Sequence, residues 1–439
     1  MRDLVGVGFG PSNLALAIAL RERPGRRLAP FFLERSPRFQ WHGGMLLKDT
    51  TMQISFLKDL VTLRDPRSPF SFLCYLTERG RLVDFVNRRD FFPTRREFHD
   101  YLEWAAAPFA EQVAYSHEVR FVRPVDDGGA VTAWDVVAAD GAGRERVWRT
   151  PRLVLGSGLV PRLPRDVTPS ESVWHSAELA HRLAARPGFD PKALAVVGAG
   201  QSAAEVAAHL HERFPAARVY ALLPRYGYSA ADDSPFANRI FDPGAVDDFY
   251  HAPPEVRERL HAYHRNTNYS VVDPELIDEL HRRAYQESVT GESRLTVWKM
   301  TRVAAVAQEA ETARLDVTRL LDGTTAELTV DAAVFATGYR PMDPAAVLGP
   351  AAGLCRWDAD GRPAVLRDYR VATVPGVTAR IYLQGGTEHT HGISSSLLSN
   401  AAVRAGEIAR SCAGGDVSDG DAAGAGPEPG PDRCARESR

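Results

Sequence analysis

The stretch LVGVGFGPSN, residues 4–13, decides how this chain begins to fold. A short apolar run over residues 3–7 enters a turn with glycines at positions 8 and 10, and an alanine- and leucine-rich helix follows from Leu14 to Leu20. Residues 30–34 (PFFLE) have the apolar and aromatic character of a second strand. This order of strand, glycine turn, helix and strand predicts the opening of an α/β unit that binds a dinucleotide.

The first glycine turn has the G-x-G-x-x spacing, with Asn13 where a third glycine is usual. Such a turn lets a pyrophosphate approach the backbone closely at the positive end of a helix. Gly8, Gly10, Pro11 and Asn13 are therefore candidate cofactor contacts, although a glycine turn alone is weak support. Glu34 ends the next strand, where an acid accepts a hydrogen bond from a ribose hydroxyl of FAD or NAD.

A second unit of the same kind starts in the middle of the chain. The strand Ala193 to Val197 runs into Gly198-Ala199-Gly200-Gln201-Ser202, and a helix then extends to Arg213. The following strand, Val219 to Leu223, leads to Arg225 and to no carboxylate. An arginine at this position pairs with the 2′-phosphate of NADPH, whereas the alternative is an ordinary surface arginine. Gly198, Gly200, Gln201, Ser202 and Arg225 are the candidate NADPH contacts.

Two dinucleotide sites in one chain predict electron transfer from a nicotinamide to a flavin. The four cysteines, Cys74, Cys355, Cys412 and Cys434, form no C-x-x-C pair, so a disulfide is not the expected electron acceptor. Oxygen or a quinone is then the expected electron acceptor. The cysteine pattern also fits a reducing compartment, and we expect the cytoplasm.

Composition excludes several classes of function. Hydrophobic residues make up 44% and charged residues 25% of the 439 positions, as in ordinary globular proteins. The net charge of -3 argues against nucleic acid or an anionic membrane as the main partner. No apolar run is long enough to span a bilayer, and we expect no membrane segment and no leader. The run Glu388-His389-Thr390-His391 lacks a third cluster of ligands, so no metal is expected.

Longer motifs follow the first unit and recur through the chain. They are Gln40-Trp41-His42, Gly44-Met45-Leu46, Met52 to Leu60, Thr62, Arg64, Pro66, Ser71-Phe72-Leu73, Asp233 to Phe236 with Asn238, Asn266 to Val272, Asp331 with Phe335 to Tyr339, Thr390-His391-Gly392 and Leu397-Leu398-Ser399. Together they resemble the N-hydroxylating flavoprotein monooxygenases of siderophore biosynthesis, and most closely the branch that acts on ornithine. The resemblance runs from about residue 3 to about residue 410.

The resemblance implies a reaction. In that family, reduced FAD and oxygen form a C4a-hydroperoxyflavin, NADP⁺ stays bound, and the neutral side-chain amine of the amino acid attacks the distal oxygen. The expected product is N5-hydroxyornithine, made for a siderophore or a related natural product. Family members are commonly tetrameric, so a homo-oligomer is expected.

The resemblance also implies roles for individual residues. Lys58 would hold the substrate carboxylate, Asn238 the backbone end and Asn268 the amine end, while Ser399 would close over the substrate. Gln53 would steady the oxygen adduct, and Gln53 with Asn268 are the candidate catalytic residues. The remaining candidates for FAD contacts are Trp41, His42, Met52 and Leu397, and those for NADPH contacts are Tyr269, Thr337 and Gly338.

Alternatives stay open at this level. One methylene separates ornithine from lysine, a difference that a pocket resolves by only about 1–3 kcal/mol. A diamine would leave Lys58 without a carboxylate partner. A Baeyer–Villiger or flavin monooxygenase would share the fold, but its long fingerprint is represented only by the fragment Trp174-His175-Ser176. A flavin-binding sensor without turnover is a third class. Lys58 and Asp59 could also form a purely local ion pair.

We therefore predict an α/β fold with two Rossmann-like domains, for FAD and NADPH, and a mostly helical substrate-binding segment. The FAD-binding domain would comprise residues 1–165 and 331–412, and the NADPH-binding domain residues 166–330. The helical segment would span about 232–290. Residues 413–439, rich in Gly, Ala, Asp and Pro, predict a disordered tail.

Overall fold

A computed structural model describes residues 1–25, 28–309 and 311–414, and only the backbone of residues 265–268. The predicted tail, apart from residues 413 and 414, lies outside the described residues. In chain order, the strands are β1 (Leu4–Val7), β2 (Pro30–Leu33), β3 (Val113–Ala114), β4 (His117–Asp127), β5 (Ala130–Asp140), β6 (Glu145–Thr150), β7 (Arg152–Leu155), β8 (Leu159–Pro161), β9 (Val173–His175), β10 (Ala193–Val197), β11 (Arg218–Leu222), β12 (Leu295–Trp298), β13 (Thr301–Glu309), β14 (Thr312–Arg319), β15 (Thr325–Val330), β16 (Ala332–Phe335), β17 (Tyr339–Pro341) and β18 (Arg380–Leu383).

The helices complete the described chain. The α-helices are α1 (Pro11–Glu22), α2 (Phe72–Glu78), α3 (Leu82–Asn87), α4 (Arg95–Ala106), α5 (Leu179–Ala184), α6 (Gln201–Arg213), α7 (Ala245–His251), α8 (Pro254–Asn268), α9 (Pro274–Thr290), α10 (Pro344–Leu348), α11 (Glu388–His391) and α12 (Ala401–Cys412). Short 3₁₀ helices cover Gly43–Met45, Ala107–Gln112, Ser176–Glu178, Ala237–Phe241, Gly349–Leu354, Ile393–Ser396 and Leu398–Asn400. Within the described part of the chain, no helix has both the length and the apolar character needed to cross a bilayer.

The first sheet is parallel, with the strand order β18-β7-β1-β2-β3. Its central strand β1 is buried along its whole length, because a parallel sheet is covered on both faces. Helices α1 and α12 pack on this sheet with a large apolar core that includes Leu14, Ile18 and Ile408. The C-terminal part of the chain thus returns to the sheet that the N-terminus begins.

The second sheet is also parallel, with the strand order β12-β11-β10-β16-β9. Helix α6 packs on β10 and β11 through alanines and Leu210. Two antiparallel three-stranded sheets, β4-β5-β6 and β13-β14-β15, accompany the parallel sheets. The predicted pair of dinucleotide-binding units is therefore observed as two parallel sheets.

A two-stranded ribbon joins the two sheets. The chain leaves the first sheet after β7 through β8, and it returns from the second sheet after β16 through β17. These two connections pair with each other in antiparallel register, from Tyr339 opposite Pro161 to Pro341 opposite Leu159.

The structure corrects one predicted boundary. A boundary at residue 331 assigns β16 to the FAD-binding domain, but β16 pairs with β10 and β9 in the second sheet. Apolar strand residues look alike in either sheet, so the local pattern of AAVF could not decide the assignment. The segment 232–290 is largely helical, as predicted, with α7, α8 and α9 lying within it.

A buried ion pair fastens α4 to α6. The guanidinium of Arg95 donates to both carboxylate oxygens of Glu205, at 2.9 and 2.8 Å, and also to the carbonyl oxygen of Met45 at 3.1 Å. The side chains of Arg95 and Glu205 are 13% and 4% exposed. Because α4 lies beside the first sheet and α6 belongs to the second, this pair connects the two halves.

We expect Glu205→Ala to lower the thermal unfolding midpoint markedly. Removing one partner of a buried ion pair costs about 3–5 kcal/mol, since the remaining charge stays desolvated. Glu212 on the same helix pairs with Lys48 at 3.3 Å, but these side chains are 52% and 67% exposed. Glu212→Ala should therefore change stability by less than about 1 kcal/mol. Equal shifts in the two variants, measured by calorimetry, would contradict the role assigned to the Arg95–Glu205 pair.

Candidate functional site

The first glycine turn connects β1 to α1 at the carboxyl edge of the first sheet. Gly8 has φ +80°, and a Cβ there would lie 2.5 Å from the carbonyl oxygen of Gly156, so only glycine fits. Gly10 precedes α1 with open space around its Cα, and Pro11 is the first residue of the helix. A partly accessible helix N-terminus without an acid in its first turn suits a pyrophosphate.

Asn13 replaces the third glycine for a structural reason. Its side chain is buried, and its Nδ2 donates to the carbonyl oxygens of Val7 at 3.1 Å and Gly8 at 2.7 Å. The Val7 carbonyl oxygen also accepts from Gly156 N at 2.9 Å, so the amide of Asn13 links the end of β1 to the glycine turn. A Cβ at Gly156 would lie 2.5 Å from Asn13 Nδ2, so this glycine makes room for the amide.

Glu34 follows β2 and braces the same turn. Its Oε2 accepts from Phe9 N at 2.7 Å, and its Oε1 accepts from Ser36 N at 2.8 Å. A carboxylate has about four lone-pair sites, so both oxygens can accept further hydrogen bonds from a ribose.

The second glycine turn connects β10 to α6 in the same way. Gly198 has φ +145°, and a Cβ there would lie 2.4 Å from the carbonyl oxygen of Ala336. Gly200 precedes α6, and Ser202 lies half-buried in the first turn of that helix. A Cβ at Gly200 would lie 3.2 Å from Ser270 Cα, so the second turn is close to the chain after α8.

The side chain of Gln201 is occupied by protein partners. Its Nε2 donates to Asp273 Oδ2 at 2.8 Å and to Glu205 Oε1 at 3.1 Å, and its Oε1 accepts from Asp273 N at 2.9 Å. Both amide hydrogens are thereby used. Gln201 has its backbone N–H, at the start of α6, to offer a phosphate.

Arg225 lies just beyond the carboxyl end of β11, half-buried, and its Nη1 donates to the carbonyl oxygen of Ser270 at 3.0 Å. This bond uses one of five guanidinium hydrogens, so the group can still hold a phosphate. Thr337 and Gly338 follow β16 at the same edge. The Gly338 carbonyl oxygen accepts from Arg162 N and His175 Nε2, both at 3.0 Å, and Thr337 Oγ1 donates to the Arg162 carbonyl oxygen.

The loop before α2 carries the residues predicted to lie beside the flavin. Met52 is buried in the core of the first sheet, and the ring of Trp41 packs against Phe98 with centroids 5.9 Å apart. His42 is exposed to solvent, and desolvation by the protein atoms near its ring, followed by the nearby Arg95, lowers the pKa of His42 to about 4. Gln53 is exposed, and its Nε2 lies 3.4 Å from Asp273 Oδ1.

Lys58 and Asp59 do not form a local ion pair. Each oxygen of the buried Asp59 carboxylate accepts from a backbone N–H at 2.7 Å, from Thr62 and Phe72, and Val61 N and Thr62 Oγ1 add bonds at 2.9 Å. Burial raises the pKa of Asp59, against these hydrogen bonds. Among the described residues, no side chain pairs with the half-buried Lys58 ammonium. A half-buried lysine without a side-chain partner among these residues fits an anionic ligand.

The predicted substrate residues come from two segments that meet. Ser399 and Asn400 precede α12, and Asn400 Nδ2 donates to the carbonyl oxygen of Phe241 at 3.3 Å, in the 3₁₀ helix that carries Asn238. The buried atoms Ser399 Oγ and Asn400 Oδ1 have no hydrogen-bond partner among the described residues. These two atoms are therefore available to hydrogen-bond with a bound group. Half-buried Leu397 lies beside them.

Asn238 makes a local bond as well. Its Nδ2 donates to the carbonyl oxygen of Asp233 at 2.7 Å, which leaves its side-chain oxygen available. The side chain of Asn268 lies outside the described residues, and its backbone ends α8. The next residue, Tyr269, donates its hydroxyl to Glu388 Oε1 at 2.5 Å. Burial raises the pKa of Glu388.

In the run from Glu388 to His391, Glu388 and the two histidines contact different residues outside the run. His389 Nε2 lies 2.8 Å from the Pro363 carbonyl oxygen, and His391 Nε2 lies 3.1 Å from that of Arg367. Glu388 bonds with Tyr269 instead. No group of three or more potential ligands gathers among the described residues.

Sequence reasoning missed the residues that tie these parts together. Asp273 connects Gln53 to Gln201, and buried Arg404 donates to Gln384 Oε1 at 3.0 Å and Ser12 Oγ at 3.1 Å. Arg404 therefore holds α12 against the first glycine turn. Asp273 did carry a signal, because it directly follows the motif that ends at Val272 and precedes a proline.

The chain is similar to proteins of known activity over almost its whole length. A family model described as L-lysine 6-monooxygenase/L-ornithine 5-monooxygenase matches residues 1–341. An L-ornithine N(5)-monooxygenase of Burkholderia cepacia is 44% identical over 89% of this chain and 89% of its own length. One from Pseudomonas aeruginosa is 40% identical over 94% of this chain and 93% of its own length.

A solved structure has the same fold as this chain. The ornithine N-hydroxylase of Kutzneria sp. 744, described as KtzI-FADred-NADP+-L-orn, has a TM-score of 0.91 and 48% identity. The match covers 94% of this chain and 99% of that one. Because it has the two glycine turns and the motifs around Lys58, and because these proteins match it over most of its length, the chain belongs to the L-lysine 6-monooxygenase/L-ornithine 5-monooxygenase family.

Proposed function

We propose that this protein is an FAD- and NADPH-dependent monooxygenase that hydroxylates the side-chain amine of L-ornithine with O₂. The observation that carries the proposal is the Lys58 ammonium, which is half-buried and has no partner among the described residues. Its neighbour Asp59 is saturated by backbone and hydroxyl donors instead. A site with such a cation selects a substrate that has a free carboxylate as well as an amine.

The two glycine turns fit the two cofactors. The turn from Gly8 to Asn13, with Glu34, would hold FAD, and the turn from Gly198 to Ser202, with Arg225, would hold NADPH. Bound FAD, reduced by NADPH, supplies the activation of oxygen. We assign FAD binding to the residues before β8 and after β17, and NADPH binding to the residues between these strands.

The reacting amine must be a free base, because an ammonium has no lone pair. With a pKa near ~10.4, deprotonation at pH 7 costs about 4 to 5 kcal/mol. The proposed contacts on the substrate other than Lys58, namely Asn238, Asn268 and Ser399, carry no charge. Uncharged groups can accept or donate a hydrogen bond and stabilise the ammonium less than a neighbouring carboxylate would. Their contribution is to orient the amine and exclude water.

Lys58 and the C-terminal segment would contact different parts of the substrate. Lys58 would fix the carboxylate end, and Ser399 with Asn238 would enclose the rest, since Asn400 bonds to the segment of Asn238. Gln53 would contact the cofactor side of the substrate. We also propose that the enzyme acts in the cytoplasm as a homotetramer and that its product enters a siderophore or a related metabolite; these points rest on the family resemblance.

Lysine is the alternative that the family description itself keeps open. A lysine hydroxylase would use the same carboxylate contact but needs a pocket one methylene longer, whereas a diamine would not use Lys58 at all. The relatives described above all act on ornithine by name. Ornithine is therefore the proposed substrate.

A coupling assay tests the substrate. Purified protein with FAD and NADPH is given ornithine, lysine or putrescine, and hydroxylamine product is measured against NADPH and O₂ consumed. We expect nearly one product per NADPH with ornithine and mostly peroxide with the other two amines. Equal NADPH oxidation with every amine, and peroxide alone as product, would remove ornithine as the substrate.

Lys58→Ala tests the carboxylate contact. Losing a hydrogen bond to a charged group costs about 1.5–3 kcal/mol, so the KM for ornithine should rise about 10- to 150-fold. The small product yield with putrescine, which has no carboxylate, should not fall further. Lys48→Ala is the control, because Lys48 is 67% exposed and pairs with Glu212. The same loss with ornithine and putrescine would mean that Lys58 does not bind a carboxylate.

Arg225→Ala tests the assignment of NADPH. We expect the KM for NADPH to rise at least tenfold and that for NADH to change little, because only NADPH carries the 2′-phosphate. Arg218, exposed at the opposite end of the same strand β11, provides the control variant Arg218→Ala. An unchanged ratio of the two KM values would show that another residue selects NADPH.

A further inference from the structure

Asp273 occupies the N-cap position of α9 but does not cap it. Its backbone is extended there, with φ -57° and ψ 132°, and its carboxylate accepts no hydrogen bond from the first turn of its own helix. An Asp at this position usually stabilises the helix by capping, at about 0.5–2 kcal/mol relative to Ala. The side chain is instead turned toward two glutamines.

Each carboxylate oxygen of Asp273 accepts a hydrogen bond from one glutamine. Oδ2 lies 2.8 Å from Gln201 Nε2, and Oδ1 lies 3.4 Å from Gln53 Nε2. Gln53 belongs to the loop that precedes α2, and Gln201 begins α6 at the second glycine turn. Asp273 thus joins the loop proposed to lie beside the flavin to the helix proposed to hold NADPH.

The Gln201 side of this arrangement is rigid. Gln201 also accepts from Asp273 N at 2.9 Å and donates to Glu205 Oε1 at 3.1 Å, while Arg95 neutralises Glu205. Burial raises the pKa of Asp273, and the hydrogen bonds from Gln53 and Gln201 oppose that rise. The carboxylate therefore depends on these amide donors.

The arrangement fixes which end of the Gln53 amide faces Asp273. An ionised carboxylate only accepts hydrogen bonds, so Gln53 must turn its NH₂ group toward it. The carbonyl oxygen of Gln53 then points to the other side, away from Asp273. Without Asp273, either end of the amide could face the region proposed to hold the cofactor and substrate, which we call the cleft. An amide NH₂ group there would have the wrong polarity for a donor on the ligand.

We propose that Asp273 is a positioning residue that orients the Gln53 amide, so that Gln53 presents a carbonyl acceptor to the cofactor and substrate. The proposal rests on the proposed function for the identity of those ligands and for their position beside Gln53. It concerns the polarity of one amide, which the contacts to Gln53 and Gln201 determine.

The test is a pair of substitutions that exchange donor and acceptor. In D273N, the new amide can keep accepting from Gln201 with its oxygen, and its NH₂ group then faces Gln53. Gln53 must turn its oxygen toward it and its NH₂ group into the cleft. In the double variant D273N/Q53E, the side chain at position 53 accepts at both ends and again presents an oxygen to the cleft. In Q53E alone, the carboxylates at positions 53 and 273 face and repel each other.

We expect D273N to raise the fraction of NADPH that ends as peroxide about threefold to tenfold, the range of one lost hydrogen bond. D273N/Q53E should recover part of that coupling, whereas Q53E alone should be worse than either. Glu275→Gln, two positions further along in the first turn of α9, is the matched control and should behave like the wild type. Additive effects of D273N and Q53E would overturn the proposal.

A second readout does not use turnover. Thermal unfolding midpoints of the four FAD-loaded proteins form a double-mutant cycle, in which a direct contact gives a non-additive term. We expect the double variant to be more stable than the sum of the single variants predicts. If ornithine is not the substrate, this cycle still tests the contact. If D273N lowers the midpoint and FAD content but leaves the peroxide fraction unchanged, Asp273 is only structural and the proposal fails.

Discussion

The rest of the structure depends on the ribbon in which β8 and β17 pair. The chain crosses from the first parallel sheet to the second along β8 and returns along β17, so this ribbon sets where the two sheets meet. At each crossing, the first glycine of a turn packs on a backbone carbonyl of the departing chain: Gly8 on Gly156, and Gly198 on Ala336. Both nucleotide turns are therefore built against the same connection.

Polar side chains then fasten the two halves where they face each other. Arg95 and Glu205 form a buried ion pair, and Asp273 lies between Gln53 and Gln201. Arg95 and Asp273 each form hydrogen bonds with side chains from a distant part of the chain. Because a buried charge without a partner is costly, the arrangement favours one relative position of the loop before α2 and the helix α6.

The proposed substrate site combines one charged side chain with uncharged ones. Lys58 offers a positive charge for a carboxylate because Asp59 is engaged elsewhere, while Asn238 and Ser399 offer neutral groups. The C-terminal segment reaches this region because β18 pairs with β7 and Arg404 bonds to Ser12 beside the first turn. The substrate region is thus completed by residues from the far end of the chain.

The sequence by itself determined the two glycine turns, the strands and helices around them and the helical segment 232–290, because glycine spacing and apolar periodicity are local properties. The motifs also determined the family. Only the tertiary structure decided that β16 belongs to the second sheet, that Asp59 bonds to backbone and hydroxyl donors rather than to Lys58, and that Asp273 reaches Gln53. These outcomes depend on which distant segments the parallel sheets bring together, and no local pattern encodes that pairing.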